Sequence, residues 1–97
     1  MCGNDILALG VLFECINRGI KVPEDVSITG FDGLEITGHV SPALTTVYIP
    51  SAEMGTLAAD YLIARLEHRT VVTKTRLKSS LVIRDTTAPP RTTGKNL

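Results

Sequence analysis

An excess of charge in either direction is what this sequence most plainly lacks: ten Lys and Arg face ten Asp and Glu, for a formal net charge of +0. That balance points to neither a nucleic-acid nor a membrane partner for these residues. No apolar run approaches the ~18 residues that a bilayer span requires. No basic leader or signal-type apolar segment opens the chain. Cysteine is scarce, and Cys2 and Cys15 show no CxxC spacing and no accompanying histidine cluster, which removes the usual zinc and redox signatures. They read as reduced, structural thiols and favour a cytoplasmic setting. His39 and His68 stand far apart with no second ligand type near them in sequence, so they carry no expectation of metal or catalysis. No cofactor is expected. There is no internal repeat, and the one biased segment is the terminal "TTAPPRTTGKNL".

What is present is ordinary globular material, 43% hydrophobic and 21% charged, long enough for one small domain. In "CGNDILALGVLFECINRG", residues Ile6, Leu9, Phe13 and Ile16 recur at helical spacing, and Leu7, Val11 and Leu12 make the remaining faces apolar as well. A helix of that kind is expected to be buried on more than one side. Asn4 or Asp5 can cap it, and Gly19 suits its end. "IKVPEDVSITGF" predicts a turn and then a strand over 26–31, followed by a turn or two of helix before Pro42. "ALTTVYI" predicts a second strand. A helix capped by Ser51 follows, with Met54, Leu57, Ala58, Tyr61, Leu62 and Leu66 on one face expected to be buried. Leu77 to Ile83 alternates with period two as an edge strand, and residues 86–97 read as a loose tail. The order α-β-(short α)-β-α-β indicates an α/β fold with parallel sheets. It begins on a helix with no leading strand, so the chain reads as truncated at its N-terminus.

Four blocks, "CGNDILALG", "GIKVPEDVSITGFDG", "SPALTTVYIPSAEMGTLAADYL" and "LVIRDTTAPP", stand in one order over residues 2 to about 90. In that order they resemble the C-terminal stretch of lac-repressor-family (LacI-type) bacterial transcription regulators. The resemblance implies part of a two-lobed, type I periplasmic-binding-protein-like fold. Residues 1–85 would then be the C-terminal portion of the effector-binding core, mostly its second lobe, with the 50–69 helix in the first. The DNA-reading helix-turn-helix domain would lie outside this stretch.

Asp32 falls at the carboxyl end of the predicted 26–31 strand, where open parallel sheets hold ligands. A carboxylate accepts through two oxygens and suits neighbouring hydroxyls of a sugar or polyol. Capping of the short helix that follows is the other role open to it. Asn4, at a strand-to-helix turn, carries both donors and an acceptor, and the expectation is that Asp5 caps while Asn4 faces the cleft. The resemblance implies effector contacts at Asn4 and Asp32. Where many relatives carry a Gln just before the Pro of the "TTVYIP" block, this sequence has Ile49. Either Tyr48 beside it, the effector-adjacent residue, supplies the missing hydrogen bond, or the ligand differs in that region. The implied function is ligand sensing within a DNA-binding regulator, with a sugar, sugar acid or similar small molecule as effector, operator DNA reached only through the other domain, no membrane, and a homodimer. A periplasmic sugar-binding protein of a transport system is the alternative. An enzyme is not expected, because general acid/base work near Asp32 would have only Glu35 to pair with it.

Overall fold

The computed structural model describes residues 1–70 and 74–90. In chain order the elements are α1 (Asp5–Asn17), a 3-10 turn (Glu35–Gly38), β1 (Thr46–Tyr48), α2 (Ser51–Leu66) and β2 (Ser80–Val82). They fall into two units, Met1–Tyr48 with Leu81–Leu97, and Ile49–Ser80.

In the first unit α1 supplies one wall of the core. Asn4 caps it by accepting the Leu7 amide at 2.9 Å, and Gly19 after its end takes φ +71, a conformation open to a residue without Cβ. Ala8, Leu9, Leu12 and Cys15 face Ile28 and Leu44, with Cys2, Val22 and Val40 at the margin. Leu12 and Leu44 have no exposed surface, and each contributes about 1.5–3 kcal/mol of apolar burial. The helix is covered on this face alone. Ile6, Leu7, Val11, Phe13 and Ile16 remain exposed, so the expectation of burial on several sides is not met within this chain.

No named strand covers 26–31, yet an extended segment runs from Ile28 to Asp32. The amides of Ile28, Gly30 and Asp32 donate to Thr86, Thr45 and Val47 on one side. The carbonyls of Thr29 and Phe31 accept from Cys2 and Asp5 on the other. Parallel bridges join Thr29 to Thr45 and Asp32 to Tyr48. The segment starts later than sequence suggested because the Val26 amide is used in a turn, donating to Lys21. β1 and β2 form a two-stranded sheet.

The edge strand expected over Leu77 to Ile83 is confined to β2, and the return segment shelters one parity. Leu81 and Ile83 are exposed, whereas Val82 and Arg84 are half-buried and Thr86 is fully buried. Polar partners decide this. Arg84 Nη1 donates to Thr37 Oγ1 at 2.6 Å and to the Leu44 carbonyl at 3.0 Å. The Thr86 hydroxyl donates to the Ile28 carbonyl at 2.7 Å and accepts the Thr45 amide at 2.9 Å. The tail expected from residue 86 thus begins as a built-in part of the first unit; residues 91–97 lie outside the described residues.

The second unit is dominated by α2. It starts at Ser51 with Pro50 in the capping position and no side-chain cap, so Ser51 is the first helical residue rather than the cap. Arg65 Nη1 reaches the Tyr61 hydroxyl at 3.2 Å, one turn back. The apolar stripe is uncovered: Met54, Leu57, Leu62 and Leu66 are exposed, and Ala64 is the one buried residue of the helix. No helix among the described residues is long and apolar enough to cross a membrane.

Candidate functional site

Three adjacent chain segments end together in the first unit. Residues 2–5 lie against 29–31 through Cys2 N to Thr29 O at 2.9 Å and Asp5 N to Phe31 O at 3.0 Å. Residues 29–32 lie against 45–48 through the two parallel bridges. Asn4, Asp32 and Tyr48 stand at the ends of these three segments. This is the carboxyl edge of a parallel arrangement, where loops rather than the ladder determine what can bind.

Asp32 is exposed, and its carboxylate has no partner among the described residues. Its backbone amide is engaged, donating to Val47 at 2.9 Å. The residue sits at φ +128, a region that L-residues adopt only under constraint. Gly33 follows at φ +78, where a Cβ would stand 2.7 Å from Tyr48 Cα. Only glycine allows the turn to lie this close to β1. The helix-capping role for Asp32 is not seen: the 3-10 turn starts after Leu34 and has no side-chain cap.

The cap expected of Asp5 is supplied by Asn4 instead. Asn4 is the cap, because its Oδ1 meets the Leu7 amide. Its Nδ2 has no partner among the described residues, so two donors stay available at the edge of the site. Asp5 is fully buried and does not cap. Its Oδ2 accepts the Leu34 amide at 2.8 Å and its Oδ1 the Thr46 hydroxyl at 2.6 Å. Gly30 makes room for this carboxylate, since a Cβ there would collide with Asp5 Oδ1. Sequence reasoning missed this residue. The available signal was two capping side chains in succession where the helix needs one, which leaves the second free for another purpose.

Tyr48 is half-exposed and adjoins Asp32 through the backbone bridge. The side chains considered for other chemistry do not gather here. Glu35 lies 4.0 Å from His39 on the exposed face of the 3-10 turn. Cys2 and Cys15 are unpaired thiols, and among the described residues no group of three His, Cys, Asp or Glu converges.

Residues 1–87 match the family model of the periplasmic binding protein-like domain. The chain is 42% identical over 73 residues to the HTH-type transcriptional regulator GntR of Escherichia coli K12, covering 75% of this chain and 22% of that protein. It superposes on a LacI family transcriptional regulator from Enterococcus faecium with bound ribose at a TM-score of 0.83 and 32% identity, over 92% of this chain and 34% of that one. A lac repressor dimer bound to operator and the anti-inducer ONPF gives a TM-score of 0.80 at 31% identity, over 90% and 30%. The chain therefore spans well under half the length of the relatives it matches. These relatives are regulators, which favours that side of the family over transport receptors. The order of α1, the Asp32 turn, β1 and α2, the parallel pairing of 29–32 with 45–48, and this match over nearly the whole sequence together make the chain a member of the periplasmic binding protein-like domain family, in the form found in LacI-type transcription regulators.

Proposed function

We propose that these residues are part of the effector-sensing core of a DNA-binding transcription regulator, and that Asn4 and Asp32 hold a sugar, sugar acid or similar polar metabolite. The observation that carries this reading is the placement of two residues with unpartnered polar groups on neighbouring segments at one parallel edge: Asp32 with its carboxylate and Asn4 with its amide donors. A carboxylate that accepts and an amide that donates match adjacent hydroxyls, each of which does both. Tyr48 lies beside Asp32 and is the third, adjacent contact. The ribose held by the Enterococcus faecium neighbour supports a polyhydroxylated ligand class.

The remaining parts of the reading follow from the family. A helix-turn-helix domain outside these 97 residues reads the operator, the protein works as a cytoplasmic homodimer, and it performs no chemistry on its ligand. In the two-lobed arrangement, 1–48 together with 81–85 belong to the second lobe and α2 to the first. An effector that binds one arrangement of the lobes better shifts the population toward it and so changes operator affinity.

A thermal-shift screen of monosaccharides and sugar acids, run on the natural polypeptide that contains these residues, tests the reading. A hit whose stabilisation disappears in Asp32→Ala, with operator binding intact, is the expected result. Hits that stabilise Asp32→Ala as strongly as wild type would sink it.

A further inference from the structure

Asp5 is an acidic side chain with no exposed surface, set in the first turn of a helix whose cap is already supplied by Asn4. Burial of such a group is costly unless its partners are specific, so what it holds is informative. Its two oxygens reach two different segments. One accepts the amide of Leu34, the residue that closes the Asp32–Gly33 turn; the other accepts the hydroxyl of Thr46, the first residue of β1, which ends at Tyr48. The Asp5 amide donates to Phe31, immediately before Asp32. Both flanks of the positive-φ pair are therefore tied to one residue. On the far side the Leu34 carbonyl is held by the Thr37 hydroxyl at 2.6 Å, and Thr37 in turn by Arg84.

We propose that Asp5 is the positioning residue of the Asn4–Asp32 site. It touches no ligand. It keeps the Asp32–Gly33 turn in its left-handed form and at a fixed register against β1, so that the Asp32 carboxylate and the Tyr48 side chain present to a polyhydroxylated ligand without first being ordered. An L-residue at φ +128 relaxes toward ordinary backbone unless its neighbours prevent it. The Asp5 carboxylate prevents it from the Leu34 side, as the Val47 carbonyl does through the Asp32 amide. Ligand affinity then depends on a side chain buried beneath the site, since a turn that must be ordered on binding binds more weakly. The inference takes its ligand class from the proposed effector site, but the state of the turn is measurable without ligand.

The test is hydrogen exchange, read by mass spectrometry on peptides covering 31–36 and 8–17, in the natural polypeptide containing these residues. Wild type is compared with Asp5→Ala, Asp5→Asn and Thr46→Val. Asn at position 5 keeps an acceptor for the Leu34 amide and turns its NH2 toward the Thr46 hydroxyl, so it restores the tether. Expected is a roughly tenfold or greater acceleration across 31–36 in Asp5→Ala with little change in 8–17, a smaller acceleration in Thr46→Val, and near-wild-type exchange in Asp5→Asn. Equal loss of protection in both peptides, or an unaltered turn, would overturn the proposal by reducing Asp5 to an ordinary core residue. Should Asp5→Ala fail to fold, Thr46→Val decides: acceleration confined to 31–36 supports the tether, and unchanged exchange there overturns it. Calorimetric titration with D-ribose as the probe separates this from the effector reading. Binding lost in Asp32→Ala, weakened about tenfold in Asp5→Ala and retained in Asp5→Asn supports both. Ribose binding that tolerates Asp32→Ala counts against the effector reading, and a wild type that does not bind ribose excludes this one sugar as the effector, while in either case the exchange result still judges Asp5.

Discussion

At Asn4 the side chain caps α1 and, in the proposed reading, also meets the effector, and substitution can separate the two. Its Oδ1 caps α1, and loss of such a cap costs about 0.5–2 kcal/mol. Its Nδ2 donors face no described partner. Asn4→Asp retains an acceptor for the Leu7 amide and removes the donors. Melting temperature should therefore hold while effector affinity falls by about 1–3 kcal/mol, the worth of hydrogen bonds to a polar ligand; calorimetry alongside a melting curve checks both. Asn4→Ala should lose on both counts. Asp32 offers the complementary case, because its backbone is strained and its carboxylate is exposed. Asp32→Gly relieves a conformation that costs a non-glycine residue about 1–3 kcal/mol. The variant should melt higher than wild type and yet lose the effector response. A variant that is no more stable, or one that still responds, would separate strain from function. That Asp32 stands at a strand end between glycines was legible in "GFDG". That it sits at positive φ was not, since the constraint comes from the Val47 carbonyl and from Asp5, residues distant in sequence.

Among the elements, α1, α2 and the "TTVY" strand were legible because each carries a helical period or a β-branched run and a stop or start residue, Gly19 or Pro50, although the caps expected of Asp5 and Ser51 fall one residue earlier, on Asn4 and Pro50. The return segment was not. Its alternation suggested an edge strand over Leu77 to Ile83, whereas the strand is confined to Ser80–Val82 and the sheltered positions are Val82, Arg84 and Thr86. Hydrophobicity was a poor guide there, because what holds the segment is a set of hydrogen bonds to backbone groups that would otherwise be buried without partners. The Thr86 hydroxyl satisfies two at once, the Ile28 carbonyl and the Thr45 amide. Thr86→Val preserves shape and removes both bonds. It should destabilise by about 1–3 kcal/mol for each buried group left unpaired, readable as a lower denaturation midpoint at unchanged slope. Thr86→Ser keeps the hydroxyl and should recover most of that loss. If Val were as stable as Thr, the segment would be held by packing after all.

For the whole molecule the informative quantity is what stays uncovered. Along α1, Ile6 is 65% exposed and Leu7 58%; along α2, Leu62 is 60% and Leu66 79% exposed. Fully burying side chains of this size contributes about 1.5–3 kcal/mol each, so two helices presenting such rows to water forgo a large part of the burial that stabilises a small domain. The chain spans 22% of GntR and 34% of the Enterococcus faecium regulator, whose remaining lengths offer surfaces that these 97 residues do not contain. Prepared as a separate polypeptide, the 97 residues should therefore associate into dimers or larger assemblies, since another copy provides the nearest apolar surface. Sedimentation equilibrium over a range of concentrations measures this directly. Paired substitution of Leu62 and Leu66 by Glu, on the helix face that buries least, should shift the equilibrium toward monomer without altering the α1 core of Leu12, Ile28 and Leu44. A stable 10.4 kDa monomer with slowly exchanging amides along α2 would instead mean that the helix needs no cover beyond what this chain supplies.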